Sequence, residues 1–447
     1  MAKPPKIKTV RTFCTSNVGA DEDTKTLWIL GAGGSRHLGF PLSFDFFQKS
    51  IGLCTAQMKE FADENDLGYK FFQDHFSKRK EPVPTCNEIK TFKSDPELAL
   101  RNLHTWGYLE PEHAVMVKLQ FLYRNWQSLP KLLTDIGLKI TPHELLSTYP
   151  EKVIDDVRNL SAASLVKDHG FYDQDAARRK LEETLRVLGE IYFYTLSHFN
   201  EAARDIQPSE NLYRSLVRSF ILEKNARIMS FNYDTMLDEA VFHGFTRTWH
   251  YGGMTISGIN GYPVAKGQDG DLILIKPHGS LHFLICQSCK RAYVNWFWTY
   301  RRTGANSAAS DNRRCAFCKK PQPGRKEMLS SLTVAPLYDK KIIKRSFQAI
   351  TRTFAWAENV VSVGYSFPEQ DTYFFNCMKQ GIELRKGTPL RVRVVSHSHD
   401  SAKDIKKRLE KELVSRGVPR AAMKVTAEKL NGFEEVRCGF ENIPVKT

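Results

Sequence analysis

The sequence predicts an α/β fold around a doubly wound parallel sheet covered on both faces. Short apolar and β-branched runs recur at Thr26–Leu30, Ala226–Phe231, Asp271–Lys276, Leu332–Ala335, Asn359–Val363 and Leu390–Val395. Segments with helical spacing separate them, and buried parallel strands read as unbroken apolar runs of this length. The polar and glycine-bearing motifs of the chain lie at the ends of these runs. Open α/β sheets bind ligands there, beyond the carboxyl ends of their strands.

The first run ends in GAGGSRHLGFP. A glycine turn between strand and helix lets backbone N–H groups approach a phosphate, and it equally serves as a tight structural turn. A dehydrogenase fingerprint would place glycine where Arg36 stands, and an acid about 20 residues on, where the window reads SIGLCT. Ordinary hydride transfer is therefore disfavoured. Ser35 offers a hydroxyl to a phosphate or to the helix start.

From about residue 44 to 224 the pattern is mostly helical and too long for a loop. Its clearest stretch, Gln174–Arg204, carries Leu181, Leu185, Leu188, Ile191, Tyr192 and Phe199 near helical spacing. This region is expected to be a large helical insertion.

The second run ends in SFNYD, where Asn232 and Asp234 share a face of an extended backbone. An amide that donates and accepts suits a ribose or a carboxamide. Asp234 equally suits capping the helix that DTMLDEA begins. The third run ends at His278 and Gly279. A histidine there can remove a proton from water or a sugar hydroxyl, or serve as a hydrogen-bonded core residue. Gly364 and Ser366 follow the fifth run, and Ser396 and His397 the sixth.

Two CxxC pairs, Cys286/Cys289 and Cys315/Cys318, follow His278. Four thiolates at this spacing make a closed tetrahedral Zn²⁺ site, which is structural because no coordination position stays open. A small four-cysteine zinc ribbon is expected over about 284–330.

The net charge of +15 is uneven: residues 276–345 hold 15 Lys/Arg against Asp311, Glu327 and Asp339, so 15 − 3 = +12. Such a block attracts nucleic acid or an acidic protein, or forms a solvated face. No run has the roughly 20 apolar residues of a membrane span. The basic N-terminal segment 1–24 is expected to be flexible and lacks the apolar stretch of a signal peptide. Five cysteines beyond the CxxC pairs suit a reducing compartment, so the expectation is a cytoplasmic protein.

In order, GAGGS, SFNYD, PHGSLHFLICQSC, CAFC and VGYSF resemble the sirtuin family, over about residues 27–396. The resemblance implies a Rossmann-like NAD-binding domain, here spanning 25–447, with a zinc ribbon. It implies that Gly31, Ala32, Gly33 and Ser35 lie on the cofactor phosphates, and Asn232 and Asp234 near the nicotinamide ribose. His278 would be the catalytic base, and Gly364 and Ser366 would line the cofactor site. Deacylating sirtuins carry GIPDFR where this chain has GFPLSFDFF, and a glutamine where it has Phe231. FNYD, HGSLHF and GYSFPEQD look more like bacterial sirtuin-like proteins of antiviral defence, which cleave NAD.

The expected activity is NAD glycohydrolysis, with NAD as substrate and Asn232 and His278 in catalytic roles. The alternatives are a protein deacylase, a nonenzymatic sensor of NAD or ADP-ribose, and a subunit of a nucleic-acid-triggered complex. A homo-oligomer is compatible with each of these.

Overall fold

The computed structural model describes residues 25–35, 38–42, 45–50, 125–126, 128–204, 226–244, 249–251, 272–285, 340–369, 371–385 and 387–429. It also describes short pieces at 52, 213, 217, 256–257, 288–289, 292–295, 317–318 and 332–334. The N-terminal segment 1–24, much of the 44–224 region and most of the basic 276–345 stretch lie outside the described residues.

Seven strands form the main sheet: β1 (Thr26–Leu30), β2 (Ala226–Ser230), β3 (Trp249–His250), β5 (Leu272–Ile275), β9 (Asn359–Val363), β10 (Leu390–Ser396) and β11 (Met423–Lys429). Their order is β11-β10-β9-β1-β2-β5-β3, and each pairing is parallel. From β1 the chain adds β2, then the edge strand β3, then β5 between them, and returns to the other side of β1 with β9. The order therefore reverses between β1 and β9, at the centre of the sheet.

Alternation along β1 shows why both faces are covered. Trp28 and Leu30 enter one apolar core, and Leu27 and Ile29 enter the other. The first core holds residues of α3 (Pro150–Asn159), α5 (Gln174–Arg204) and α6 (Met236–Gly244). The second is built with α7 (Lys340–Trp356), α8 (Thr372–Glu383) and α9 (His399–Ser415). A strand buried on both faces must be apolar throughout, which is the TLWIL pattern.

Within the expected helical insertion, the described helices are α2 (Pro142–Ser147), α3, α4 (Ala162–His169) and α5. Local chemistry sets their ends. Thr141 and Glu144 close a capping box on α2, and Ser161 caps α4, which stops at left-handed Gly170. A short α1 (Ala32–Ser35) follows β1 directly.

A second, four-stranded sheet has the order β4-β7-β6-β8, from β4 (Ile256–Ser257), β6 (Gly279–Ile285), β7 (Ala292–Asn295) and β8 (Leu332–Val334). This corrects one expectation: Leu332–Val334 pairs antiparallel with β6 and is no part of the parallel sheet. A three-residue apolar run carries no information about its partner strand. Five of the described strands went unread: the short β3, β4 and β7, and the longer β6 and β11. β6 begins immediately after His278, and β11, MKVTAEK, alternates apolar and polar residues as an edge strand does.

Candidate functional site

The strand order reverses between β1 and β9, and open α/β sheets hold ligands beyond the carboxyl ends of their strands at such a point. The loops after β1 and β9 touch backbone to backbone. A Cβ on Gly31 would lie 2.4 Å from Cα of Tyr365, and one on Gly364 would lie 2.5 Å from the amide nitrogen of Gly34. Gly364 also has φ +65, which favours glycine. The amides of Gly31 and Gly33 donate to the carbonyls of Val363 and Gly364. These glycines thus serve the close approach of two loops, and their amides are already engaged within the protein.

Below this contact lies a buried polar cluster. The Ser35 hydroxyl donates to Oδ2 of Asp234 at 2.6 Å. It accepts from Nδ2 of Asn232 at 2.8 Å and lies 2.6 Å from the Tyr213 hydroxyl. Nδ2 of Asn232 also donates to Tyr213 at 3.0 Å. Both amide hydrogens of Asn232 are therefore in use. Its carbonyl oxygen Oδ1 is buried with no hydrogen-bond partner among the described residues. Buried acceptors are rarely left so, and one at a crevice is available to a ligand donor.

Asp234 has a structural duty as well, accepting the Met236 amide at 3.1 Å at the start of α6. Burial pushes its carboxyl up, against the lowering effect of Lys276. Lys276, with a fully buried side chain, donates to the Asp234 carbonyl at 2.6 Å and to Asp238 at 2.9 Å. The hydroxyl of Tyr251 completes the Asp238 environment. Burial pushes the Tyr213 phenol well above its usual range, with the Asp234 charge adding to this, so it stays neutral.

His278 stands in a tight turn closed by the Gly279 amide on the Lys276 carbonyl at 3.0 Å, with Gly279 at φ +92. Its Nε2 lies 2.9 Å from Oδ1 of Asp371, at the start of α8. The other oxygen of Asp371 accepts from Tyr365, the residue after Gly364. Phe231 links this group to the Asn232 cluster. Its ring stacks on Tyr365 at 3.8 Å and 12°, and meets the His278 ring edge-on at 5.0 Å. The residue that departs from the deacylase pattern thus forms the floor between the two clusters.

The helices between β1 and β2 supply further groups. Tyr192 of α5 packs edge-on against Tyr233 at 5.5 Å, and Asn200 binds both the amide and the hydroxyl of Thr235. On α3, Asp155 and Arg158 form an ion pair at 3.9 Å. Burial raises the Asp155 carboxyl; Arg158 opposes that, while the charge of Asp371 adds to it and His278 also acts on it. Arg158 is lowered by burial and feels Asp155, Tyr233 and Tyr373.

The structure therefore gathers Gly31, Gly33, Ser35, Asn232, Asp234, His278 and Gly364 at one edge of the sheet, with Ala32 in α1. Ser366 is exposed, and its carbonyl accepts from Arg408 at 2.9 Å. Asp371, Tyr213, Lys276, Asp155 and Arg158 were missed. EQD after GYSFP was a visible signal for Asp371, and Lys276 stood beside His278 in KPHG; the others come from helical regions with no motif around them.

For the metal, Cys289 and Cys318, one from each CxxC pair, are thiols packed against the same apolar core. Cys286 and Cys315 lie outside the described residues, and no metal-binding group of three ligands occurs among the described ones. No helix among the described residues is long and apolar enough to cross a membrane. No protein-family model matches the chain, and no curated protein matches it.

Proposed function

We propose that this chain hydrolyses NAD at the bond between nicotinamide and ribose: NAD⁺ and water give nicotinamide, ADP-ribose and a proton. The carrying observation is Asn232 Oδ1, a buried acceptor without a partner among the described residues, just beyond β2 and next to Phe231, whose ring meets His278. NAD offers donors of the matching kind in its ribose hydroxyls and carboxamide. Asn232 would hold one of these, with its amide fixed by Ser35 and Tyr213.

Nicotinamide leaves without a general acid, so the site has to hold the ribose and place the attacking water. With a proton on Nε2 directed at Asp371, the Nδ1 lone pair of His278 takes the proton from water or a ribose hydroxyl. Tyr365 and Phe231 hold that pair in place. The loops of Gly31–Ser35 and Gly364–Ser366 would shape the part of the crevice that receives the diphosphate.

One observation favours water over an acylated lysine as acceptor. Asp155, with Arg158 beside it, brings a carboxyl group into electrostatic reach of His278, where an acyl chain would want apolar walls. The resemblance to sirtuin-like defence proteins supports the same choice and a role in bacterial antiviral defence. The ordered CxxC pairs support one structural Zn²⁺ on Cys286, Cys289, Cys315 and Cys318, and less than one zinc per purified chain would contradict it. The activity is tested by following nicotinamide release from NAD: Asn232→Ala should lower it about 10²-fold or more. An unchanged rate would remove Asn232 from the site.

A further inference from the structure

We propose that the opposite edge of the main sheet carries a second ligand site, for a free nucleotide held through its phosphates. A cavity of about 530 Å³ opens at the amino-terminal ends of β1, β9, β10 and β11. Its lining includes Lys25, Trp356, Glu358, Arg385, Arg391 and Lys424. Four cations thus face one carboxylate.

Sheet register brings these charges together. Arg391 and Lys424 are direct partners across β10 and β11, and Arg391 is also the partner of Asn359 on β9. Lys25 immediately precedes β1, whose first residue, Thr26, pairs with Asn359. Like charges directly opposite each other on neighbouring strands are destabilising, and nothing in the fold requires that pair. An anion between them turns the cost into binding energy.

One further observation points to an anionic ligand. Arg385 is pinned by the carbonyls of Thr388, Ala357 and Phe354, so its charge stays at the cavity wall. Its guanidinium is lowered mainly by burial; Glu358 opposes that, and the repulsion of Arg391 adds to it. The row from β1 to β11 crosses three strand gaps, about 14 Å, which is the reach of a di- or triphosphate with its sugar and exceeds that of a single carboxylate. Trp356 supplies an aromatic wall for a base, and pockets of this volume accept ligands of that size.

The site is separate from the Asn232 crevice. The five residues of β1 place the two ends of the sheet about 15 Å apart. The inference does not rest on NAD cleavage, and binding can be measured without it.

The test is calorimetric titration of the full chain with adenosine triphosphate, repeated on Asn232→Ala to separate any binding in the opposite crevice. Saturable binding at one nucleotide per chain is expected, weakening as salt rises. Lys424→Glu changes an exposed side chain and should keep the fold. It should weaken binding about tenfold, and adding Arg391→Gln should weaken it further. Absence of saturable binding by the wild-type chain would overturn the proposal. So would an affinity unchanged in both variants, or preference for a ten-nucleotide single strand over the free nucleotide.

Discussion

His278 and Asp371 meet at 2.9 Å although 93 positions separate them in the chain. One closes the turn after β5, and the other opens α8 after the β9 loop. β1 and β2 lie between β9 and β5, so the β9 loop reaches across their carboxyl ends, with Tyr365 stacked on Phe231, to bring Asp371 to His278. A histidine held by a carboxylate is fixed in tautomer and orientation, which a solitary histidine is not.

Replacing His278 by Ala should lower NAD turnover about 10²-fold or more, the scale of a positioned acid–base group. Asp371→Asn should lower kcat by a similar order while leaving ADP-ribose affinity nearly unchanged, because it acts through His278. Steady-state kinetics with a binding titration checks both. A wild-type rate for His278→Ala would make it a core histidine.

Lys276 and Asp238 form an ion pair with both side chains fully buried. Lys276→Met removes one charge and strands the other, a change that costs about 3–5 kcal/mol in buried pairs. The Lys276→Met, Asp238→Asn double variant should recover much of that loss. Denaturant midpoints measure it, and a neutral Lys276→Met would show that the pair does not brace the Asp234 loop.

Asp155 gives a pH signature. Burial raises its carboxyl, so the folded state holds the proton more tightly than the unfolded chain, whose value is about 3.9. Its contribution to stability is present below that value and is lost as pH rises through the folded one. Asp155→Asn cannot ionise. The melting temperature of the variant relative to wild type should therefore rise between about pH 4 and pH 7. A flat difference would place Asp155 in a solvated setting, and a falling one would show that Arg158 outweighs burial.

Much of the sheet was legible because strands buried on both faces must be apolar throughout. TLWIL and NVVSV left little choice, and they lie side by side at the centre. β11 was hidden because an edge strand keeps polar residues on one face. At the site, Asn232 and His278 stood out as polar residues ending apolar runs. Tyr213 could not be seen, because a tyrosine in a helical region looks like core until its hydroxyl is found on Ser35 and Asn232. Asp155 and Arg158 carry no motif in the sequence. Only tertiary packing brings the Asp155 carboxyl within electrostatic reach of His278.

The central claim is that water is the acceptor. Full-length protein incubated with NAD, with and without an acetylated peptide, followed by identification of the products, tests it most directly. The account predicts nicotinamide and free ADP-ribose in equal amounts, at a rate the peptide does not change. Nicotinamide release that requires the peptide and yields O-acetyl-ADP-ribose would contradict it.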